Sequence, residues 1–412
     1  MIYADTLNYL FSQLPMYQRI GAAAYKADLS TTFQLLNALG NPEKSSVRFI
    51  HIAGTNGKGS VSHMIASVLQ EAGFKTGLFT SPHLRDFRER IRINGTPINE
   101  ETVMNFVAEN NRHFEAVQPS FFEMTAALAF QVFKDEKVDF AVLETGMGGR
   151  LDSTNVITPL VSVITNIGMD HSQFLGNTIE AIAAEKAGII KPGVPVVAGN
   201  MRPQALEVIK SKAQEQNSPL TLAPTHLSEN IKTDLKGDWQ QENHRTAWAA
   251  LNLLSEEFPE ITAETLMKGL GQVAKNTGIR GRWEWLSQTP RVVCDVAHNE
   301  DGLRFVTAEI SKEKYRKLLI VLGVVNDKDL AKALPLFPKE ATYFFCAAQI
   351  PRAKKADELA AEAAAFGLKG EVYPSVQSAL QAAKNLAHPV EDLIFVGGSF
   401  FTVAEVIPAD QS

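Results

Sequence analysis

Seven residues, Gly54-Thr-Asn-Gly57-Lys58-Gly59-Ser60, limit what this chain can fold into more than any other stretch. They follow Arg48 to Ala53, which reads as a strand, and precede a segment in which Val61, Met64, Ile65, Val68 and Leu69 recur at helical spacing. Gly73 is expected to cap that helix at its C-terminus. Strand, glycine loop and helix in that order open a βαβ unit and call for a mostly parallel sheet. Glycines let backbone N–H groups turn toward phosphate oxygens, Lys58 adds a compact positive charge, and the helix N-terminus adds its partial charge. The loop departs from the pattern GxxxxGK[ST], because two residues separate its first glycines and Gly59 precedes Ser60. The competing reading is a glycine-rich turn with an exposed lysine.

The rest of the chain continues the alternation. Phe140 to Glu144, Leu160 to Thr165 and Pro195 to Ala198 read as further strands. A second series starts near Arg291, with strands at 291–296, 318–323, 342–347 and 393–397 and helical patterns around Leu330, Leu359 and Leu380. A chain of 412 residues exceeds the ~250–300 residues at which one core stops growing, so two domains are expected. Trp283 to Pro290 is the linker candidate. The fold class is α/β: a P-loop ATPase domain over 1–286 and a smaller Rossmann-like domain over 287–412.

Composition narrows the partners. A net charge of −6 excludes a surface built broadly for nucleic acid, whose affinity rests on many cationic contacts to phosphates. Cys294 and Cys346 stand apart from any CxxC or His pairing and read as buried thiols of a reducing compartment. The start has no basic, apolar and cleavage-site succession, and the longest apolar run, Leu318 to Val325, is too short to span a bilayer, so a cytoplasmic protein is expected.

Other residues carry candidate chemistry. Phe140-Ala-Val-Leu-Glu144 is an apolar strand ending in a carboxylate, where Mg²⁺ is usually held beside a P-loop; the alternative is a surface carboxylate. His171 follows another strand and on spacing alone reads more readily as a structural hydrogen-bonding residue than as a ligand, and Lys186 alone reads as a solvated helix charge. Asp295-Val-Ala-His298-Asn299 sits at the sheet edge where open α/β sheets bind ligands, unless Asp295 caps the following helix.

Together these pieces resemble the folylpolyglutamate synthases and bifunctional dihydrofolate synthases of the Mur ligase superfamily. The matching segments run in family order: GTNGKGS at 54–60, TSPHLRDFRERIRING at 80–95, LETGMGGRLDSTN at 143–155, MDHSQFLG at 169–176, AAEKAGIIK at 183–191, GRWE at 281–284 and DVAHN at 295–299. Pro351-Arg352-Ala353 and Gly397-Gly398-Ser399-Phe400-Phe401 resemble later motifs, the last departing from the commoner GSLY.

The resemblance implies an ATP- and Mg²⁺-dependent ligase that adds L-glutamate to dihydropteroate, to tetrahydrofolates, or to both, through an acyl phosphate. It implies that Asn56, Gly57, Lys58, Gly59 and Ser60 hold ATP phosphates, and that Asn243, Arg282, Asp295 and His298 hold the rest of the nucleotide. Ser81 and Glu144 would bind one Mg²⁺; His171 with Glu144 would bind a second, oriented by a carbamylated Lys186. Lys58, His171 and Lys186 form the implied catalytic group. The pterin would lie among Asp28, Leu29, Ser30, Phe121, Phe122, Glu123, Leu151, Asp152 and Ser153, although either phenylalanine reads equally as helix core. Partners would be small molecules, with no nucleic acid or membrane, and the enzyme a monomer.

Other readings are weaker. A nucleotide switch would not need the second α/β domain. A cell-wall Mur ligase would need more chain ahead of residue 54 for a sugar-nucleotide domain. A dinucleotide oxidoreductase would need GxGxxG after a strand.

Overall fold

The computed structural model describes residues 2–13, 28–227, 231–326 and 330–408. They fall into two compact units, one of residues up to Asp234 together with Gln240–Ile279, the other of Leu235–Trp239 together with residues from Arg280 onward.

In the first unit, β1 (Arg48–Ala53) lies inside an eight-stranded sheet with β2 (Thr76–Phe79), β3 (Ile91–Ile93), β4 (Thr96–Pro97), β5 (Phe140–Glu144), β6 (Val161–Ile164), β7 (Val196–Ala198) and β8 (Leu220–Leu222). The order is β4-β3-β2-β5-β1-β6-β7-β8. The six strands from β2 to β8 in that order run parallel, and β3 and β4 turn back antiparallel at one edge. β1, β5 and β6 are buried along nearly their whole length, as expected of parallel strands covered on both faces. Register brings Ile52 beside Glu144 and Ala53 beside Ile164, so the carboxyl ends of β5, β1 and β6 finish together.

The helix Lys58–Glu71 follows β1 and is lined with Ser60, Ser62, Ala66 and Ser67. Small side chains allow close approach: Ser67 Oγ donates to the Gly269 carbonyl at 2.7 Å, and a side chain at Gly269 would collide with the Val68 backbone. Gly73 ends the helix at φ +88°, and Phe74 N–H reaches back to Leu69 O at 3.0 Å.

In the second unit, β9 (Glu284–Gln288), β10 (Arg291–Cys294), β11 (Leu318–Leu322), β12 (Thr342–Phe345), β13 (Lys369–Val372) and β14 (Leu393–Gly397) form a sheet in the order β13-β12-β11-β14-β10-β9, antiparallel only at β9. Here the linker expectation is corrected. Residues 284–288 are a sheet strand, Trp283 is buried in the core, and the division falls after Ile279. Trp239, from the short inserted segment, packs edge-on against Trp283 at 6.0 Å between ring centroids. Both cysteines are free and buried. Among the described residues no helix is long and apolar enough to cross a membrane.

Candidate active site

The glycine loop is wired to the loop after β6. Thr55 N–H donates to Asn166 O at 2.9 Å, Asn56 N–H to Asn166 Oδ1 at 3.0 Å, and Thr165 Oγ1 to Asn56 O at 2.6 Å. Thr55 Oγ1 donates to Gly168 O at 3.1 Å and accepts from Gly168 N–H at 3.0 Å. Gly57 stands at φ +83° ahead of the helix Lys58–Glu71, with no side chain capping the amides of the first turn. A β-carbon there would collide with Asn243 Oδ1, so the expected nucleotide residue Asn243 lies against the loop; its Nδ2 donates to Gln240 Oε1 at 2.8 Å.

Two amines converge on one carbonyl. Lys58 Nζ donates to Gly54 O at 3.0 Å and Thr55 O at 3.3 Å, and Lys186 Nζ donates to the same Gly54 O at 2.8 Å. Lys186 is 4% exposed, so it is not the solvated helix charge that spacing alone suggests. Burial, and to a smaller extent the Lys58 charge, lowers its pKa to about 7 against the opposing pull of Asp170 and Asp152.

Glu144 is buried at the end of β5, and its Oε2 accepts the Ser81 N–H at 3.1 Å, bringing the Ser81 residue beside that carboxylate. The Ser81 segment is braced by groups that motif spacing did not single out. Glu89 accepts the amides of Leu84, Arg85 and Asp86 at 2.7, 3.0 and 2.9 Å. Arg90, 2% exposed, donates through Nε to His83 Nδ1 at 2.7 Å and lies 5.1 Å over the Phe121 ring. His171 is half-buried at φ +49°, ahead of the short helix Ser172–Leu175, with its N–H on Asp170 Oδ1 at 2.9 Å. Among the described residues no group of three or more His, Cys, Asp or Glu is arranged to hold a metal. Mg²⁺ does not require one, since it commonly takes one or two protein oxygens with waters and phosphates.

The expected pterin segments are linked to one another. Asp28 accepts the Ser30 amide at 2.7 Å, and Leu29 precedes the helix Ser30–Ala38. From that helix Thr32 Oγ1 donates to Glu123 Oε1 at 3.1 Å, while Glu123 also accepts the Ser120 amide at 2.6 Å. Phe121 is core, packed with Phe11 and Phe87; Phe122 is half-buried and fills the space where a side chain at Gly146 would go. Gly146 in turn belongs to the loop of Leu151, Asp152 and Ser153. Asp152 Oδ2 accepts the amides of Gly146 and Met147 at 2.8 and 3.1 Å, and Oδ1 accepts Thr154 N–H at 3.0 Å and Thr154 Oγ1 at 2.5 Å.

In the second unit, Asp295 is buried after β10, accepting Trp283 N–H at 2.8 Å and Ala297 N–H at 2.8 Å. It does not cap the helix Glu300–Lys312; Asn299 does, through Gly302 N–H. Burial raises the Asp295 pKa, and the nearby Arg282 charge opposes this most strongly. His298 Nδ1 meets Val296 O at 3.0 Å, which makes Nδ1–H a donor there. Arg282, Asp295 and His298 therefore belong to one electrostatic neighbourhood.

Comparison with known proteins decides the family. Residues 52–249 match the Mur ligase middle domain and 281–400 the Mur ligase glutamate ligase domain. The dihydrofolate synthase/folylpolyglutamate synthase of Bacillus subtilis (strain 168) is 37% identical over 87% of this chain and 88% of its own. The chain belongs to the dihydrofolate synthase/folylpolyglutamate synthase family. Its Escherichia coli (strain K12) relative is 32% identical over 88% of this chain and 87% of its own. Among solved structures, E. coli FolC in complex with DHPP and ADP aligns with a TM-score of 0.87 at 29% identity, covering 98% of this chain and 97% of that one. Mycobacterium tuberculosis folylpolyglutamate synthase, complexed with ADP and AMPPCP, aligns with a TM-score of 0.84 at 29% identity, covering 98% and 97%. The protein is thus an ATP-dependent ligase of the Mur type.

Proposed function

We propose that this ligase joins L-glutamate to dihydropteroate and also to reduced folates, extending the latter by γ-linked residues, with ATP as the phosphoryl donor. The observation that carries the reading is the pair of amines, Lys58 and Lys186, on the Gly54 carbonyl where β1 meets an uncapped helix. An amide cannot form directly from a carboxylate at useful rates. The γ-phosphoryl group moves to the acceptor carboxylate oxygen and ADP departs; the neutral amine of glutamate then attacks the carbonyl carbon, loses its proton and expels phosphate. Positive charge beside the transferred group lowers the barrier, and no protein nucleophile is needed.

In this reading Asn56, Gly57, Lys58, Gly59 and Ser60 hold the phosphates, Asn243 supports them, and Arg282, Asp295 and His298 complete nucleotide binding. Two Mg²⁺ ions are included, one at Ser81 and Glu144, the other attended by Glu144, His171 and Lys186. The oxygen donors of Ser81 and Glu144 suit Mg²⁺, whereas Lys186 suits it only as a carbamate. A lysine whose pKa is held near 7 is largely neutral just above that pH, the form that adds CO₂ and releases a proton. Bound there, Mg²⁺ would neutralise charge gathering on the phosphates. The acceptor would lie among Asp28, Leu29, Ser30, Phe121, Phe122, Glu123, Leu151, Asp152 and Ser153. Of the two aromatic rings Phe122 is the better stacking surface, because Phe121 is 3% exposed. The proposal extends to a monomer working on small molecules in the cytoplasm.

The test is incubation with ATP, Mg²⁺ and L-glutamate, with dihydropteroate in one tube and tetrahydrofolate in another, followed by mass spectrometry. Gain of one glutamate residue in both tubes is the expected result, and gain in one alone reduces the proposal to that activity. ADP formed with no gain in either would overturn the acceptor assignment and direct attention to UDP-linked peptides.

A further inference from the structure

His51 lies in β1, three residues before Gly54, and is completely buried. A buried imidazole carries a hydrogen-bonding cost that an apolar residue in a parallel strand does not. Its Nε2 meets Thr154 Oγ1 at 2.8 Å. The Thr154 hydroxyl has one proton, and it donates that proton to Asp152 Oδ1. Asp152 has four donors on its two oxygens, Gly146 N–H, Met147 N–H, Thr154 N–H and Thr154 O–H, which leaves no room for a proton of its own. His51 must therefore donate, which fixes the Nε2–H tautomer. In agreement, Nδ1 finds no hydrogen-bond partner. Burial and the charge of Lys191 hold the ring neutral, with its pKa lowered to about 3.

A directed chain results: His51 Nε2–H to Thr154 O–H to Asp152 carboxylate to the amides of Gly146 and Met147. It ties the strand that carries the nucleotide loop to the loop that follows Glu144. Gly146 of that second loop packs against the Phe122 ring of the helix Phe121–Asp135. The chain shares no hydrogen bond with Thr55, Asn56, Thr165 and Asn166, which hold the glycine loop, and Asp152 reaches that loop only through its charge on Lys186.

We infer that His51 and Thr154 are positioning residues that orient Asp152 and the 145–154 loop toward the pterin-bearing acceptor, and that they govern acceptor affinity separately from ATP affinity. The inference rests on the acceptor assignment proposed above. Loss of the Nε2–H donor in His51→Leu is expected to raise KM for the acceptor about tenfold, the equivalent of one buried hydrogen bond, with KM for ATP changed less than about twofold. His51→Gln, which keeps an N–H donor at similar reach, is expected to recover most of the loss, and Thr154→Ser to resemble the unaltered enzyme. Thr154→Val should match His51→Leu, and the double variant should be no worse than either, because both cut one chain.

The experiment pairs these kinetics with nitrogen-15 NMR of histidine-labelled enzyme. A neutral Nε2–H imidazole for His51, together with the split between the two KM values and rescue by glutamine, is the expected outcome. An Nδ1–H or charged ring would overturn the inference even if the variants do not fold. Equal rises in both KM values, or a glutamine variant as poor as leucine, would reduce the chain to a structural role. If the unaltered enzyme uses neither pterin substrate, the acceptor assignment fails, while the NMR result still decides the hydrogen-bond chain.

Discussion

The ends of β1 and β10 are the same kind of place built in opposite ways. Each is the carboxyl end of an inner parallel strand followed by a short loop and a helix. After β1, Gly57 leaves the first helical turn without a side-chain cap, and two lysines stand beside the loop. After β10, Asn299 caps the turn with its own side chain, and a buried carboxylate, Asp295, holds the backbone on both sides. An uncapped turn keeps its N–H groups for an outside anion, whereas a capped one has spent one internally. Equivalent positions in two α/β sheets are thus suited to different ligands by one or two residues, and topology alone does not say which is the phosphate site.

The comparison can be broken by substitution. Lys186→Ala has the largest expected effect: turnover falls about a thousandfold or more, as for loss of a principal charge-stabilising group, while ATP binding measured by calorimetry stays within a fewfold. Near-normal turnover would remove Lys186 from the chemistry. The same residue supplies a pH signature. Its folded pKa, about 7, lies below its ordinary 10.5, so between those values the unfolded chain binds more protons. Its contribution to stability is fully present above pH 10.5 and is lost as pH falls toward 7. Lys186→Met should flatten unfolding free energy against pH in that window, and an unchanged slope would contradict the lowered pKa.

Gly57→Ala introduces a β-carbon at φ +83° and against Asn243, so ATP affinity should drop about tenfold or more, from ~1–2 kcal/mol of backbone strain plus the collision. Asp295→Ala strips the amides of Trp283 and Ala297 of their acceptor at about 1–3 kcal/mol each, which urea unfolding should register in the second unit. Asn299→Ala should cost only about 1 kcal/mol of stability, the usual worth of an N-terminal cap. A gain of phosphate affinity at the Asn299→Ala helix would sharpen the comparison, because it would make the cap itself the difference between the two sites.

How much of this was legible in the sequence follows from length and burial. The strand, glycine loop and helix around Gly54 were readable because β1 is apolar along most of its length and the helix repeats its apolar residues regularly. β4, with two residues, and β8, with three, are too short to show an alternation, and β13 is exposed along its length, so no apolar pattern marks it. β9 was read as a linker because its residues are only half-buried and it borders the turn at Thr289-Pro290; it pairs antiparallel with β10 through an irregular register. At the site, Glu144 was readable as a charge ending an apolar run. His51 was not, because a histidine inside a strand signals nothing until the fold brings Thr154, 103 residues away in sequence, and Asp152 next to it. Asp152 likewise looks like a ligand-facing carboxylate in sequence, and only the fold shows the four donors by which it also anchors its own loop.

The insertion of Leu235–Trp239 into the second unit also has a consequence for how the molecule is made. A ribosome releases this segment before Gln240–Ile279, the last part of the first unit. Trp239 must then wait for Trp283 and Phe305 to emerge before its ring has neighbours. Meanwhile the first unit lacks the helix Gln240–Ser255, and with it Asn243 beside Gly57, until synthesis has passed residue 255. A nascent chain therefore has a glycine loop long before Asn243 stands beside it, and a cut at residue 280 leaves the second unit without Leu235–Trp239.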